Sequence, residues 1–316
     1  MAKKTDISSS SNLNNQDKID FASRKEAIGK RGANFSAQPY LLLLPLCFFA
    51  AVFVFYPFVN TIIHSFTLVN FRGEVTGPAG LDNFQYLFSR KDFFIALKNT
   101  LKITAITVPL TSIICLVLAL LSVDKRKLSP VYETMSMLPM AVSMSTKALI
   151  FRVMFHPTVG IVNYLLGTNY GWFRDSKTAL TGIIILAVWM GIPFNYVLLL
   201  SALRSVPKEI ISAAEVDGAG YFSTLFSVQI PLISPTLFYI ICTDAIMALL
   251  ISGPIILLTN GGPSRSTTTL IFMMYSSGYG SSNYSMAAAI SIITLLLSLV
   301  FVFFAFLIEK RKVHYQ

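Results

Sequence analysis

Charged residues are scarce in this sequence. They make up 13% of its 316 residues, whereas hydrophobic residues make up 54% and the mean hydropathy is +0.65. Soluble domains carry about 25% charged residues, and no soluble core needs this much Leu, Ile and Phe. The composition therefore excludes an ordinary soluble protein and indicates an integral membrane protein.

The residue types of metal sites and covalent catalysis are also few. Cys47, Cys115 and Cys242 all fall inside apolar stretches, where they are interpreted as small buried hydrophobic residues rather than disulfides. The three histidines lie at unrelated positions, so no metal-binding cluster is visible. The sequence contains neither a Ser-His-Asp or Cys-His arrangement nor a Walker A motif, which argues against such catalysis and against ATP binding by that motif.

Long apolar stretches are what the sequence has instead. Crossing roughly 30 Å of hydrocarbon takes about 20 helical residues. We therefore predict an all-α, polytopic membrane protein with a transmembrane domain over residues 37–310, a disordered polar tail over 1–36 and a short tail over 311–316. The six predicted transmembrane helices are 40–66, 93–122, 130–155, 180–203, 229–258 and 284–308.

The distribution of Lys and Arg predicts the orientation of these helices. With the N-terminus inside, the inner segments hold fifteen basic residues and the outer loops hold six. Cytoplasmic segments are the more basic ones, so both termini are predicted to be cytoplasmic. The net charge of +10 then belongs beside anionic lipid, and the absence of an aromatic-basic pattern argues against nucleic acid as a partner.

The inner loop over residues 204–228 has an unusual pattern for a connector. Lys208–Val216 predicts a short helix, and the small Ala213-Ala214 pair would let another backbone approach closely. Gly218 ends this helix, because Gly readily adopts strained turns, and we expect the preceding Asp217 to cap or fix the loop. The pattern alone fits either an ordinary helix–turn–helix at the membrane interface or a knob that inserts into another protein.

This loop resembles the EAA loop of ABC-importer permeases, whose coupling helix inserts into a groove of the ATPase. The family pattern, roughly EAA-x-x-DGA, then I-x-LP and a later Pro, is matched by Ala213–Ala219, Ile230-Pro231 and Pro235. Ser212 replaces the first Glu, and Ile-Pro stands where Leu-Pro is usual. Over residues 40–310 the chain is similar to the carbohydrate-uptake branch, on segments that follow in order: GLDNF (80–84), ALKNTLKIT (96–104), FRVMFHPTVGIVNYLLG (151–167), Trp189 to Pro193 and LTNGGPSRSTTTL (258–270).

The resemblance implies a type I importer permease rather than an enzyme. It implies half of a translocation pathway for a carbohydrate, taken to be an oligosaccharide, with glycerol 3-phosphate or another phosphorylated polyol as the alternative. The implied partners are a second homologous permease, an ATPase dimer that binds ATP and Mg²⁺, and an extracytoplasmic solute-binding protein, in a bacterial plasma membrane. No cofactor is expected in this chain. The residues expected to couple to the ATPase are Ser212, Ala213, Ala214, Asp217 and Gly218.

Polar and aromatic residues in the predicted spans, together with Asn260 just after the fifth span, are candidates for the substrate pathway. An intramembrane charge costs at least a few kcal/mol unless it faces a cavity or a partner. Asp244 could alternatively pair with Lys147 or with a cation of a partner, and Arg152 is close enough to the boundary to snorkel. Aromatic and amide groups near Pro193 suit a sugar but also fit plain packing, and the LTNGGP turn could either rim a cavity or only end a helix. The candidates are Lys147, Trp189, Asn195, Tyr196, Asp244 and Asn260.

Two other classes of function compete with this interpretation. An ion-gradient-driven carrier would need no ATPase, but such carriers usually show internal repeats, and none is evident. A membrane-embedded enzyme would need a nucleophile or a metal constellation, and the sequence offers neither. The carrier would also leave the inner loop unexplained.

Overall fold

The structure is a computed structural model that describes residues 38–124 and 129–312. The predicted tail over 1–36, the basic loop 125–128 and residues 313–316 lie outside the described residues. The chain divides after Phe58 into two compact units.

The first long apolar segment spans this division in sequence. It comprises α1 (Gln38–Ala50), a π-helical stretch (Ala51–Phe55) and α2 (Tyr56–Ser65). Residues Leu41–Ser65 are long and apolar enough to cross a membrane, as predicted for 40–66. Large side chains such as Leu42 (80%) and Phe53 (69%) are exposed, as expected for a surface that meets lipid or a partner.

The second unit contains most of the helices and one small sheet. Its elements in chain order are β1 (Thr67–Val69), β2 (Val75–Pro78), α3 (Asp82–Ser89), α4 (Lys91–Val123), α5 (Ser129–Met137), α6 (Met144–Met154), α7 (Ile161–Leu166), α8 (Ala179–Ser205), α9 (Lys208–Val216), α10 (Tyr221–Thr224), α11 (Ile230–Leu232), α12 (Ser234–Leu249), α13 (Gly253–Leu258), α14 (Leu270–Tyr275) and α15 (Tyr284–Lys312). A 3₁₀ turn lies at Leu138–Ala141, and π-helical stretches lie at Leu225–Gln229 and Ser276–Gly280.

Three long helices of this unit agree with the predicted spans. Helices α4, α8 and α15 correspond to the predictions at 93–122, 180–203 and 284–308 within a few residues. Helices α4, α8 and α12 pack together, and their facing side chains include the fully buried Cys115, Tyr196 and Ile240. Because no polar segment interrupts α4 or α8, apolar length alone located them.

The third predicted span, 130–155, is not one straight helix. Helices α5 and α6 meet at an angle of 110°. The 3₁₀ turn between them contains Pro139, and Ser143 caps the N-terminus of α6 by accepting a hydrogen bond from the Thr146 amide. A Ser N-cap begins a new helix, so the apolar stretch is long enough to span but changes direction midway.

The fifth predicted span, 229–258, is also wrong as a single helix. Residues Tyr221–Leu232 and Ser234–Leu249 meet at 70°, and α12 then ends before a separate α13 begins. Pro231 and Pro235 flank the bend; each lacks an amide donor and restricts the residue before it. By length and composition, the described residues contain four candidate membrane helices, or up to six if each bent pair is one span.

The fold is mostly helical, as predicted, and within residues 38–124 and 129–312 the helices are accompanied by one antiparallel hairpin of β1 and β2. Its turn is closed by Asn70, whose Oδ1 accepts from the amides of Arg72 and Glu74. The Val69 amide donates to Ser285 Oγ at 2.8 Å, which fastens the hairpin to the start of α15. The hairpin therefore lies at the same end of this unit as the N-terminus of α15.

Candidate functional site

The inner loop folds as a helix closed by backbone hydrogen bonds. Helix α9 covers Lys208–Val216, as predicted, and Gly218 follows with φ of +84°. The Ala219 amide donates to Ala214 O at 2.9 Å and the Gly218 amide to Glu215 O at 3.0 Å. This is a Schellman arrangement, in which a left-handed residue lets the chain reverse.

Asp217 has a smaller role than the sequence suggested. Its side chain is exposed and accepts no hydrogen bond within the described residues, so the backbone rather than this carboxylate closes the loop. The carboxylate remains free to meet a partner.

One side of the loop packs inward and the other is open. Ile211 packs against the core cluster that contains Leu203 and Val206, and Leu225 is buried. Ser212 and Ala213 are exposed and Ala214 is partly exposed. The large exposed side chains of the loop are Val216 (87%), Tyr221 (65%), Phe222 (71%) and Phe226 (63%). This surface joins small residues for close approach with bulky apolar groups that lack a cover within the described chain.

Two of the candidate pathway residues form a direct contact. Asn195 of α8 donates from Nδ2 to Oδ2 of Asp244 on α12 at 2.6 Å. Asn195 is 1% exposed, and its Oδ1 has no hydrogen-bond partner among the described residues. The alternative pairing of Asp244 with Lys147 is wrong within the described chain, where the amide of Asn195 takes that place.

No hydrogen bond or ion pair joins Lys147 or Trp189 to Asp244 among the described residues. Trp189 packs against Phe151 of α6, with ring centroids 5.4 Å apart. Lys147 is half-buried one helical turn before Phe151. The α6 helix therefore forms a wall beside Trp189, and this contact is aromatic packing of the kind weighed above.

Tyr196 lies in the buried core and Asn260 in an exposed turn. Tyr196 is fully buried in the core with Leu199 and Leu203, so the structure assigns its ring to packing. Asn260 is exposed in the predicted LTNGGP turn, with φ of +46°. It borders a cavity of about 390 Å³ that is also lined by Arg90, Asp92 and Arg265.

The turn at Asn260 is held by α4. Asn99 donates from Nδ2 to the carbonyl oxygens of Arg265 (3.2 Å) and Thr268 (3.0 Å). Asp92, at the start of α4, forms ion pairs with both Arg90 and Arg265. The predicted tight turn is present and is tied to a long helix.

Four further polar residues of the helices had not been singled out from the sequence. Thr107 and Thr111 are buried on α4, and their hydroxyls have no partner among the described residues. Their helical spacing in an apolar helix was the available signal. Arg204 and Glu133 form an ion pair at 2.6 Å between α8 and α5, and no local pattern links residues so far apart in sequence.

Comparison with known proteins identifies a transport-protein family and a permease relative that agree with each other. The family described as "Binding-protein-dependent transport system inner membrane component" matches residues 111–314. The sn-glycerol-3-phosphate transport system permease protein UgpA of Yersinia enterocolitica is 31% identical over 289 residues, which cover 90% of this chain and 98% of the relative.

Two solved structures share the fold. A bacterial ABC transporter involved in the import of the acidic polysaccharide alginate has a TM-score of 0.75 at 23% identity and covers 91% of this chain and 99% of its own. A bacterial alginate ABC transporter in complex with an alginate pentasaccharide-bound periplasmic protein has a TM-score of 0.74 at 23% identity, with 88% and 96% covered. With its multi-pass apolar helices and these matches, the chain belongs to the family of binding-protein-dependent transport system inner membrane components, the permeases of ABC importers.

Proposed function

We propose that this chain is one of two homologous permease subunits of a carbohydrate importer, and that an oligosaccharide crosses between them. The observation that carries the proposal is family membership together with the exposed, Schellman-closed loop around α9. ATP, bound with Mg²⁺ by a dimer of separate ATPase subunits, closes that dimer and draws the two coupling loops together. The permeases then turn outward and receive the substrate from an extracytoplasmic binding protein.

Each residue of the loop has a separate role in coupling to the ATPase. Ala213 and Ala214 permit close contact with the ATPase, Ser212 and Asp217 offer polar groups to it, and Gly218 supplies the left-handed turn. ATP can bias the inward and outward states only through differential contacts with them, and this loop is where those contacts are made. Both termini then lie in the cytoplasm.

Polar groups inside the helices suit a hydroxylated substrate. Asn195 and Asp244 bring an amide and a carboxylate together between α8 and α12, and Trp189 adds an aromatic face on the same helix. Lys147 and Asn260 extend the proposed pathway toward α6 and the LTNGGP turn.

Glycerol 3-phosphate is the second candidate substrate, favoured by the similarity to the sn-glycerol-3-phosphate permease protein UgpA. The two candidates are separated by measuring ATPase stimulation of the reconstituted importer. Its binding protein is loaded either with an oligosaccharide series or with sn-glycerol 3-phosphate, and the ligand that stimulates is the substrate.

Coupling is tested with a pair of glycine variants. Gly218→Asp places a side chain at φ of +84°, which costs roughly 1–2 kcal/mol for an L-residue. Gly220→Asp adds the same group two residues on, at φ of −73° and with open space around it. We expect the tagged Gly218→Asp chain to insert normally but to lose the co-purifying ATPase, while Gly220→Asp retains it. If the Gly218→Asp chain retains as much ATPase as the Gly220→Asp chain does, the coupling role is contradicted. Transport by the isolated chain, without an ATPase, would favour the ion-gradient-driven carrier.

A further inference from the structure

One guanidinium joins three helices at the inner end of the second unit. Arg204, in the last turn of α8, donates from Nη2 to Ser122 O of α4 at 2.9 Å and to Glu133 Oε1 of α5 at 2.6 Å. Ser122 O is one of the last carbonyls of α4, which the helix itself leaves without a donor. Arg204 therefore satisfies the end of one helix while holding the side chain of another.

This junction lies next to the coupling helix. Arg204 precedes the start of α9 by four residues, and Ile211 of α9 packs against the same core as Leu203 and Val206 on either side of Arg204. Because α9 is anchored to the end of α8, a displacement of α9 moves the guanidinium with it.

The other end of the connection reaches the candidate pathway. Glu133 lies on α5, which continues through the 110° bend into α6. Helix α6 places Phe151 against Trp189, and Met144 touches the α13 backbone so closely that a Cβ on Gly253 would lie 2.8 Å from Met144 Cε. The α5–α6 segment thus extends from Arg204 to the wall beside Trp189.

We propose that Arg204 is a positioning residue that transmits the nucleotide-driven displacement of α9, through Glu133, to the α5–α6 segment. The proposal rests on the proposed coupling function. The side chains of Arg204 and Glu133 are 33% and 29% exposed, so their ion pair contributes little to the stability of the whole protein. The ion pair nevertheless links α5 to α8. A connection of this kind requires a measured coupling between the two elements.

The test measures the movement of α5 in the assembled importer, without requiring the substrate to be known. The three native cysteines are replaced by alanine. New cysteines that carry nitroxide labels are then introduced by Met135→Cys in α5 and Leu296→Cys in α15, at positions that are 67% and 54% exposed. The distance between the labels is compared before and after trapping the ATPase with ATP and vanadate. We expect a shift with the wild-type pair, and loss of that shift in Arg204→Gln and in Glu133→Gln.

Rescue distinguishes transmission from general damage. The exchanged pair Arg204→Glu with Glu133→Arg restores an ion pair between the same helices, without donation to Ser122, and should recover the shift at least in part. Arg204→Lys keeps a charge for Glu133 but replaces the planar guanidinium by a compact, flexible ammonium, so an intermediate shift is expected even if the Gln variant assembles poorly. Arg72→Gln, on the exposed hairpin, is the matched control and should behave as wild type.

The outcomes separate this inference from the coupling function beneath it. A full shift in the Gln variants, or no shift in the wild-type pair despite trapped nucleotide, would overturn transmission through Arg204 alone. If no ATPase co-purifies with the wild-type chain, the coupling function fails and the transmission falls with it.

Discussion

Asp244 places a carboxyl group between two helices of the apolar core. Its only hydrogen-bond donor among the described residues is Asn195, whose own Oδ1 is left without a partner. A buried polar pair that is only half satisfied is costly unless another group completes it. A hydroxylated substrate would supply both the missing donor for Asn195 and further donors for Asp244.

Substitution at position 244 separates a substrate contact from a packing role. Asp244→Asn keeps an acceptor for Asn195 and should leave the melting temperature in detergent unchanged, while import falls roughly tenfold, as for loss of a hydrogen bond to a charged group. Asp244→Leu removes the acceptor and should lower the melting temperature. Import by Asp244→Asn at the wild-type rate would mean that the pair only joins α8 to α12.

The sequence predicts a helix correctly where the length of an apolar segment determines it, and fails where a helix changes direction within such a segment. Helices α4, α8 and α9 follow from their composition, and the break after α9 follows from Gly218. The bend between α5 and α6 does not, because Pro139 is tolerated in many membrane helices and only the Ser143 cap turns it into a new helix. The Asn195–Asp244 contact depends on the packing of α8 on α12, which no local pattern encodes, whereas both residues stood out as polar groups in apolar helices.

The LTNGGP turn depends on one side chain of α4. Asn99→Ala removes donors to Arg265 O and Thr268 O, and each lost hydrogen bond costs about 1 kcal/mol. We expect backbone amides of residues 258–270 to exchange with deuterium about fivefold or more faster, measured by mass spectrometry. Lys98→Ala, at the exposed neighbouring position, is the control. Unchanged exchange would show that the turn holds itself.

At the scale of the whole molecule, the proposed orientation gives the two ends of the second unit different neighbours. One end carries the hairpin, the start of α15 and the turn at Asn260. The other carries the loop around α9, with its uncovered apolar side chains. The first is proposed to face the binding protein and the second the ATPase.

Labelling from one side of the membrane tests this orientation. Ser212→Cys and Tyr279→Cys are made in a cysteine-free background; both positions are exposed, Tyr279 by 80%. A membrane-impermeant maleimide added to intact spheroplasts should label position 279 and not 212, and inverted vesicles should give the reverse pattern. Labelling of both positions from the same side would refute six crossings with inner termini.

The junction at Arg204 also constrains how the chain is made. Glu133 emerges from the ribosome 71 residues before Arg204, an interval of about 4–14 s at ordinary synthesis rates. Throughout that interval α5 lacks the guanidinium, and for most of it Phe151 of α6 also lacks the Trp189 ring that later packs against it. The α5–α6 segment therefore lacks these contacts with α8 during synthesis, and we expect nascent chains arrested before residue 204 to be more sensitive to protease there than the complete chain.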